Sequence, residues 1–156
     1  MRMLFKQKLF SWLDSYDIYN EFGEVLYSVK GKLGWGHILH IHDRSGAHIA
    51  TLKERVLSFL PRFEIYIGEQ YMGCIRKEFT LLRPKFTLEC SDWEIDGSIF
   101  ELDYSILSQR EGEIARITKE LFHLTDTYVI DVREPRHSLL ALMVVLAIDA
   151  EKCSRD

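Results

Sequence analysis

The sequence predicts a mainly β protein, a closed antiparallel barrel of about 12 strands around one buried C-terminal α-helix. Three observations carry this. The run from Leu139 to Ile148 holds ten consecutive residues with no charge, hydroxyl or amide. Three earlier segments repeat one glycine-centred hairpin pattern. The remaining apolar runs follow each other through turns too short for a crossover, so their pairing is antiparallel.

The hairpins come first in the chain. They are IYNEFGEVLYSVK (18–30), IHDRSGAHIATLK (41–53) and LSQREGEIARITK (107–119). Each has a polar residue three positions before a glycine: Asn20 before Gly23, Asp43 before Gly46, Gln109 before Gly112. Each has a lysine seven after it: Lys30, Lys53 and Lys119. This spacing predicts a three-residue loop, a type I turn closed by a left-handed glycine. Asn and Asp suit its first position because their side chains bond the nearby backbone. Gly68-Glu69 predicts a two-residue loop, and Asp96-Gly97 predicts another. Counting outward from the turns gives strands near 3–9, 15–20, 24–30, 36–43, 47–53, 62–67, 70–78, 85–90, 92–95, 98–104, 105–109, 113–119 and 127–132. KERVLSFLP (53–61) reads as a longer connection ended by Pro61. No linker or internal boundary interrupts the chain, so residues 1–156 are read as a single domain.

The helix follows from length. Val144, Val145 and Ile148 also suit a strand, but the pattern continues through Ala150 and Glu151, too long for one. Pro135 fits a first helical turn, which predicts a helix over about 135–152. A helix that is apolar on every side is buried on every side. A sheet of a dozen strands closes into a barrel too wide for its own side chains to fill, and the helix fills the hole. Its rise, about 27 Å, is close to the height of such a barrel. Burying the ten side chains contributes on the order of 15–30 kcal/mol gross.

Composition narrows the function. A net charge of −4 over 156 residues argues against nucleic-acid binding. Three scattered cysteines, Cys74, Cys90 and Cys153, form no CxxC pair and fit a reducing, cytoplasmic compartment. Lys6 and Lys8 interrupt the apolar N-terminus, so it does not read as a signal peptide. The C-terminal run is half the length a membrane crossing needs.

Six stretches in order carry a family likeness: YDIYNEFGEVLYSVKGK, LHIHDRSGAHIATLKE, FEIYIGEQYMGCIRKEF, YSILSQREGEIARITKE, DTYVIDV and LLALMVVLAIDA. Together they resemble the LURP-one-related family, which shares the tubby C-terminal fold. The resemblance implies a closed antiparallel barrel around a central hydrophobic helix. It implies little about activity. Related tubby domains bind phosphoinositide head groups through basic residues, and related scramblases add a transmembrane helix and calcium ligands. This chain shows no such added helix, and none of its lysines matches a tubby motif closely enough to inherit a role.

Two residue sets are candidate sites. Lys30, Lys32, Lys53, Arg55, Arg76, Lys77 and Lys119 lie at or near strand ends. Converged on one rim they would hold a phosphate or an anionic lipid head group. Solvated strand ends are the alternative, and Glu54, Glu78 and Glu120 weaken an anion site. His40, His42 and His48 share one predicted hairpin face with His37 nearby. Three imidazoles there suit zinc or another transition metal. The alternative is a polar face with Ile41 and Ile49 turned inward. Val25, Tyr27 and Val29 mark the opposite phase in the first hairpin, so repeats alone do not settle the register.

Catalysis has little support. No GxSxG and no GxxxxGK[ST] occurs. Asp92, Asp96 and the acids of FELDY read as turn caps, and Cys74 and Cys90 as small buried hydrophobes. Asp149 reads as the point where the helix emerges or, if buried, as a carboxylate that bonds a barrel end. The sequence calls for no cofactor. The expected function is a non-enzymatic binding module for an anionic lipid head group or a protein partner, cytoplasmic or peripheral at a membrane surface. The alternatives are an oligomerising interaction protein and, last, a small hydrolase.

Overall fold

Asp43 and Gly46 show how the strands are linked. Asp43 Oδ1 accepts the backbone N–H groups of Ser45 (2.9 Å) and Ala47 (3.0 Å), and the Gly46 N–H donates to the Asp43 carbonyl at 3.0 Å. Gly46 has a φ of 83°, which costs a residue with a Cβ about 1–2 kcal/mol. Asn20 and Gly23 build the same loop two hairpins earlier. The two-residue loop at Gly68-Glu69 joins the pair Ile67 and Gln70.

The computed structural model describes residues 1–6, 15–34, 36–57, 59–60, 62–78, 85–89, 91–122 and 125–153. Lys8, Pro61, Cys90 and positions 7–9 of the first expected strand lie outside the described residues, as does the side chain of Cys153. The strands are β1 (Arg2–Lys6), β2 (Ser15–Tyr19), β3 (Val25–Gly34), β4 (Gly36–His42), β5 (His48–Glu54), β6 (Arg62–Ile67), β7 (Gln70–Glu78), β8 (Lys85–Leu88), β9 (Trp93–Ser98), β10 (Asp103–Ser108), β11 (Gly112–Phe122) and β12 (Thr125–Val132). Each pairs antiparallel with its sequence neighbours, and β1 pairs with β12 to close the barrel.

A 3-10 turn, Pro135–His137, leads into the helix α1, Ser138–Cys153. Every residue from Ala141 to Ile148 is at most 1% exposed. Apolar residues of all phases are therefore enclosed, as a helix inside a tube requires. Polar groups fix its two ends. Tyr27 Oη and Ser138 Oγ share a hydrogen bond of 2.9 Å at the start, and Tyr128 Oη donates to Asp149 Oδ1 at 2.7 Å near the finish. Asp149 does not mark the helix's emergence: Ala150 and Glu151 beyond it are buried. Among the described residues no helix is long and apolar enough to cross a membrane.

Two details depart from the sequence reading. Asp96-Gly97 is no turn. Both lie inside β9, where Gly97 (φ 116°) faces Tyr104 so closely that a Cβ would stand 2.6 Å from the Asp103 carbonyl oxygen. The turn is made by residues 99–102, and Leu102 takes the left-handed conformation (φ 55°) usually left to glycine. Burial of its side chain outweighs that strain. Two strands, β9 and β10, therefore replace the three expected over 92–109. The phase conflict between hairpins is resolved by bulges. Leu26 and Ile49 are extra residues in the β2–β3 and β4–β5 pairings. Val29, Ile41 and Ala50 then stand side by side, all fully buried.

Candidate functional site

The register of β3, β4 and β5 assembles an outward basic face. Lys30 stands opposite His40, and Ile38 stands between Lys32 on β3 and Lys53 on β5. All three lysines are exposed. Alternation explains it: the neighbours Val29, Leu39 and Leu52 face the core, so Lys30, His40 and Lys53 face out. Two strand spacings separate Lys32 from Lys53, about 10 Å.

The other four expected residues do not join this face. Arg55 Nε pairs with Glu64 Oε1 at 2.5 Å, and Glu64 also accepts the Tyr66 hydroxyl. Arg76, on β7, is ion-paired with Glu89, just past the end of β8. Lys119 lies on β11, far round the barrel, opposite Tyr128. Lys77 points into the barrel and donates to Glu151 Oε1 at 2.8 Å. It alternates with the outward Arg76, in phase with the buried Ile75, and meets Phe86 across the sheet. It is therefore a structural ion pair and not a rim cation.

The histidines gather as expected on the β4–β5 hairpin. His42 pairs with His48, and their ring centroids are 5.4 Å apart. His40 Nδ1 lies 3.1 Å from His48 Nε2. Burial, then the charges of His48, Lys32 and His42, push the His40 pKa below its ordinary value. His37 stands apart, with its ring Nδ1 and its backbone N–H on Glu54 Oε2. The three-histidine set does not close around one point. Among the described residues, the set of metal-ligating groups within 4.8 Å of one another is Glu111, Glu134 and His137. Arg136 already bridges those two glutamates, at 2.6 and 2.8 Å.

Beside the lysines lies a feature the sequence reading treated only as a connection. Between β5 and β6, Leu57 is 97% exposed and Phe59 96%. Val56 leans on the first residue of β4, where a Cβ on Gly36 would lie 2.5 Å from Val56 Cγ2. The Arg55 N–H donates to the Arg62 carbonyl at 2.8 Å, pinching the loop's base. The loop thus sits at the barrel end to which Lys32 and Lys53 are nearest. The VLSFL run was the available signal, but its exposure depends on the closed fold.

Of the acidic residues expected as turn caps, Asp92 acts as one. Asp92 Oδ2 accepts from Ser108 Oγ (2.9 Å) and the Arg110 N–H (3.2 Å), bonds that lower its pKa. Asp103 pairs with Arg116 at 2.6 Å.

A search of curated proteins finds a relative 27% identical over 152 residues, covering 96% of this chain and 92% of the relative: the uncharacterised protein YxjI of Bacillus subtilis (strain 168). Neither its name nor the family description below indicates a reaction. The family model described as LURP-one-related matches residues 1–149. The chain belongs to the LURP-one-related family.

Proposed function

We propose that the chain is a non-enzymatic binding module that docks peripherally on an anionic lipid surface at the cytoplasmic side. The observation that carries this reading is the adjacency of Lys32 and Lys53 to a loop presenting Leu57 and Phe59 to solvent. Exposed aromatic and aliphatic side chains enter the acyl boundary, and each nearby lysine adds about 1 kcal/mol at an anionic surface. Neither half suffices alone: two apolar side chains anchor weakly, and surface charges are screened by salt. Arg55 lies between them at the loop's base.

Co-sedimentation with vesicles tests it. The full chain is expected to bind phosphatidylcholine vesicles that contain phosphatidylserine and to ignore phosphatidylcholine alone, with binding that fades as salt rises. Lys30→Ala/Lys32→Ala/Lys53→Ala is expected to weaken binding about 100-fold at low salt. Leu57→Ser/Phe59→Ser lowers it without changing the melting temperature. Absence of binding to anionic vesicles at low salt, or a triple variant that binds like the parent, overturns the reading.

A further inference from the structure

The β4–β5 hairpin carries a triangle of three lone-pair-bearing atoms. His40 Nδ1 and His48 Nε2 are 3.1 Å apart, and Thr51 Oγ1 is 2.8 Å from His48 Nε2 and 3.3 Å from His40 Nδ1. The strand register builds it. Thr51 is directly opposite His40, and the Ile49 bulge brings His48 opposite His42 on the same outer face. Without the bulge Ile49 would take that place and His48 would fall outside the register.

A metal ion in this triangle competes with protons for the same lone pairs. A neutral imidazole carries one N–H and one lone pair. If the Thr51 hydroxyl donates to His48 Nε2, its oxygen accepts the His40 Nδ1 proton, so a bound metal displaces that proton and takes over both ring lone pairs. Two imidazole nitrogens on one tetrahedral zinc, each about 2.0–2.1 Å from the metal, stand about 3.3 Å apart. A square-planar copper(II) ion sets cis nitrogens somewhat closer. The observed separation falls between these two geometries.

We infer that His40 and His48 form a two-nitrogen site for a late first-row divalent transition metal, with Thr51 and water completing the coordination. The arrangement favours nitrogen-loving ions over calcium or magnesium, which require oxygen ligands. Lys30, opposite His40, and Lys32, which acts on it electrostatically, oppose a cation. The affinity is therefore expected in the micromolar range rather than that of a closed structural site. His42 adjoins His48 and is a neighbour, not a ligand. The inference is independent of the lipid-docking reading, since it uses neither the apolar loop nor Lys53.

Isothermal titration of the full chain with zinc chloride, and separately with copper(II) chloride, tests the site. One ion is expected per chain. His40→Ala and His48→Ala are each expected to weaken binding by about tenfold or more. His137→Ala, which breaks the Glu111, Glu134 and His137 set, is expected to leave binding unchanged. Both ring substitutions are on the outer face, and unchanged melting of the metal-free variants confirms that the fold is intact. Electron paramagnetic resonance of the copper form adds a second readout, with hyperfine splitting from two imidazole nitrogens expected. No binding by the parent chain, binding that survives His40→Ala/His48→Ala, or binding lost with His137→Ala overturns the assignment.

Discussion

Lys77 Nζ donates a hydrogen bond to Glu151 Oε1 at 2.8 Å, tying β7 to the end of α1. The two side chains are 9% and 5% exposed. Such a pair is stable because each charge answers the other in a dry setting, so removal of one partner leaves the other charge buried without this compensation. Lys77→Met is expected to lower unfolding free energy by about 3–5 kcal/mol. Lys77→Met/Glu151→Leu is expected to recover most of that loss, because two apolar groups of similar volume need no compensation. Urea denaturation of the two variants checks this; a double variant no more stable than the single one would contradict it.

Leu142 lies in the second turn of α1 and is fully buried. Leu142→Ala removes a core side chain and leaves a cavity, for a loss of about 2–5 kcal/mol. Leu142→Asp forces a carboxylate into the barrel interior and is expected to abolish cooperative melting. A thermal melt close to that of the parent would place Leu142 elsewhere.

Gly46 and Gly97 both have positive φ, yet their substitution should differ. Around Gly46 a Cβ meets nothing within 4 Å, whereas at Gly97 it meets Asp103 O at 2.6 Å and Tyr104 Cα at 2.8 Å. Gly46→Ala is expected to cost about 1–2 kcal/mol from its backbone conformation alone. Gly97→Ala adds a backbone clash and is expected to cost more. Chemical denaturation curves measured side by side give the order.

Acid destabilisation should depend on Asp92. Its hydrogen bonds, first from Ser108 and then from the Arg110 amide, hold its folded pKa below the 3.8 of a free side chain. A depressed carboxylate contributes stability that is complete above the unfolded pKa and is lost as pH falls through the folded one. Asp92→Asn keeps an acceptor and removes the titration. Its melting temperature is expected to fall less steeply than the parent's below about pH 4. Equal slopes would assign the acid sensitivity to other groups, such as Glu111, whose pKa is lowered mainly by its bond to His137.

The helix and the glycine loops were legible because each is a local pattern with one physical solution. A ten-residue run without a polar face has to be enclosed, and Asn20, Asp43, Gly23 and Gly46 stand at the spacings their loop requires. Other features depend on partners far along the chain. Lys77 looks like any strand-end lysine until the barrel closes and sets Glu151, 74 residues away, against it. Gly97 looks like a turn residue because Asp-Gly favours turns, but the close approach of Tyr104 decides its place. The bulges at Leu26 and Ile49 each shift the phase by one residue, which period-two counting cannot anticipate. Of the seven basic residues picked from sequence, Lys30, Lys32 and Lys53 share a face, because adjacent strands carry them in matching register.

The enclosure of α1 is most directly measured by native-state hydrogen exchange of the amides from Ala141 to Ile148. A helix threaded through a closed barrel opens only when the barrel does. All eight amides are therefore expected to exchange with the free energy of global unfolding, whatever side of the helix they occupy. Protection that rises and falls with a period of 3.6 residues, with one side exchanging by local opening, would show a helix lying on a surface and would contradict the fold described.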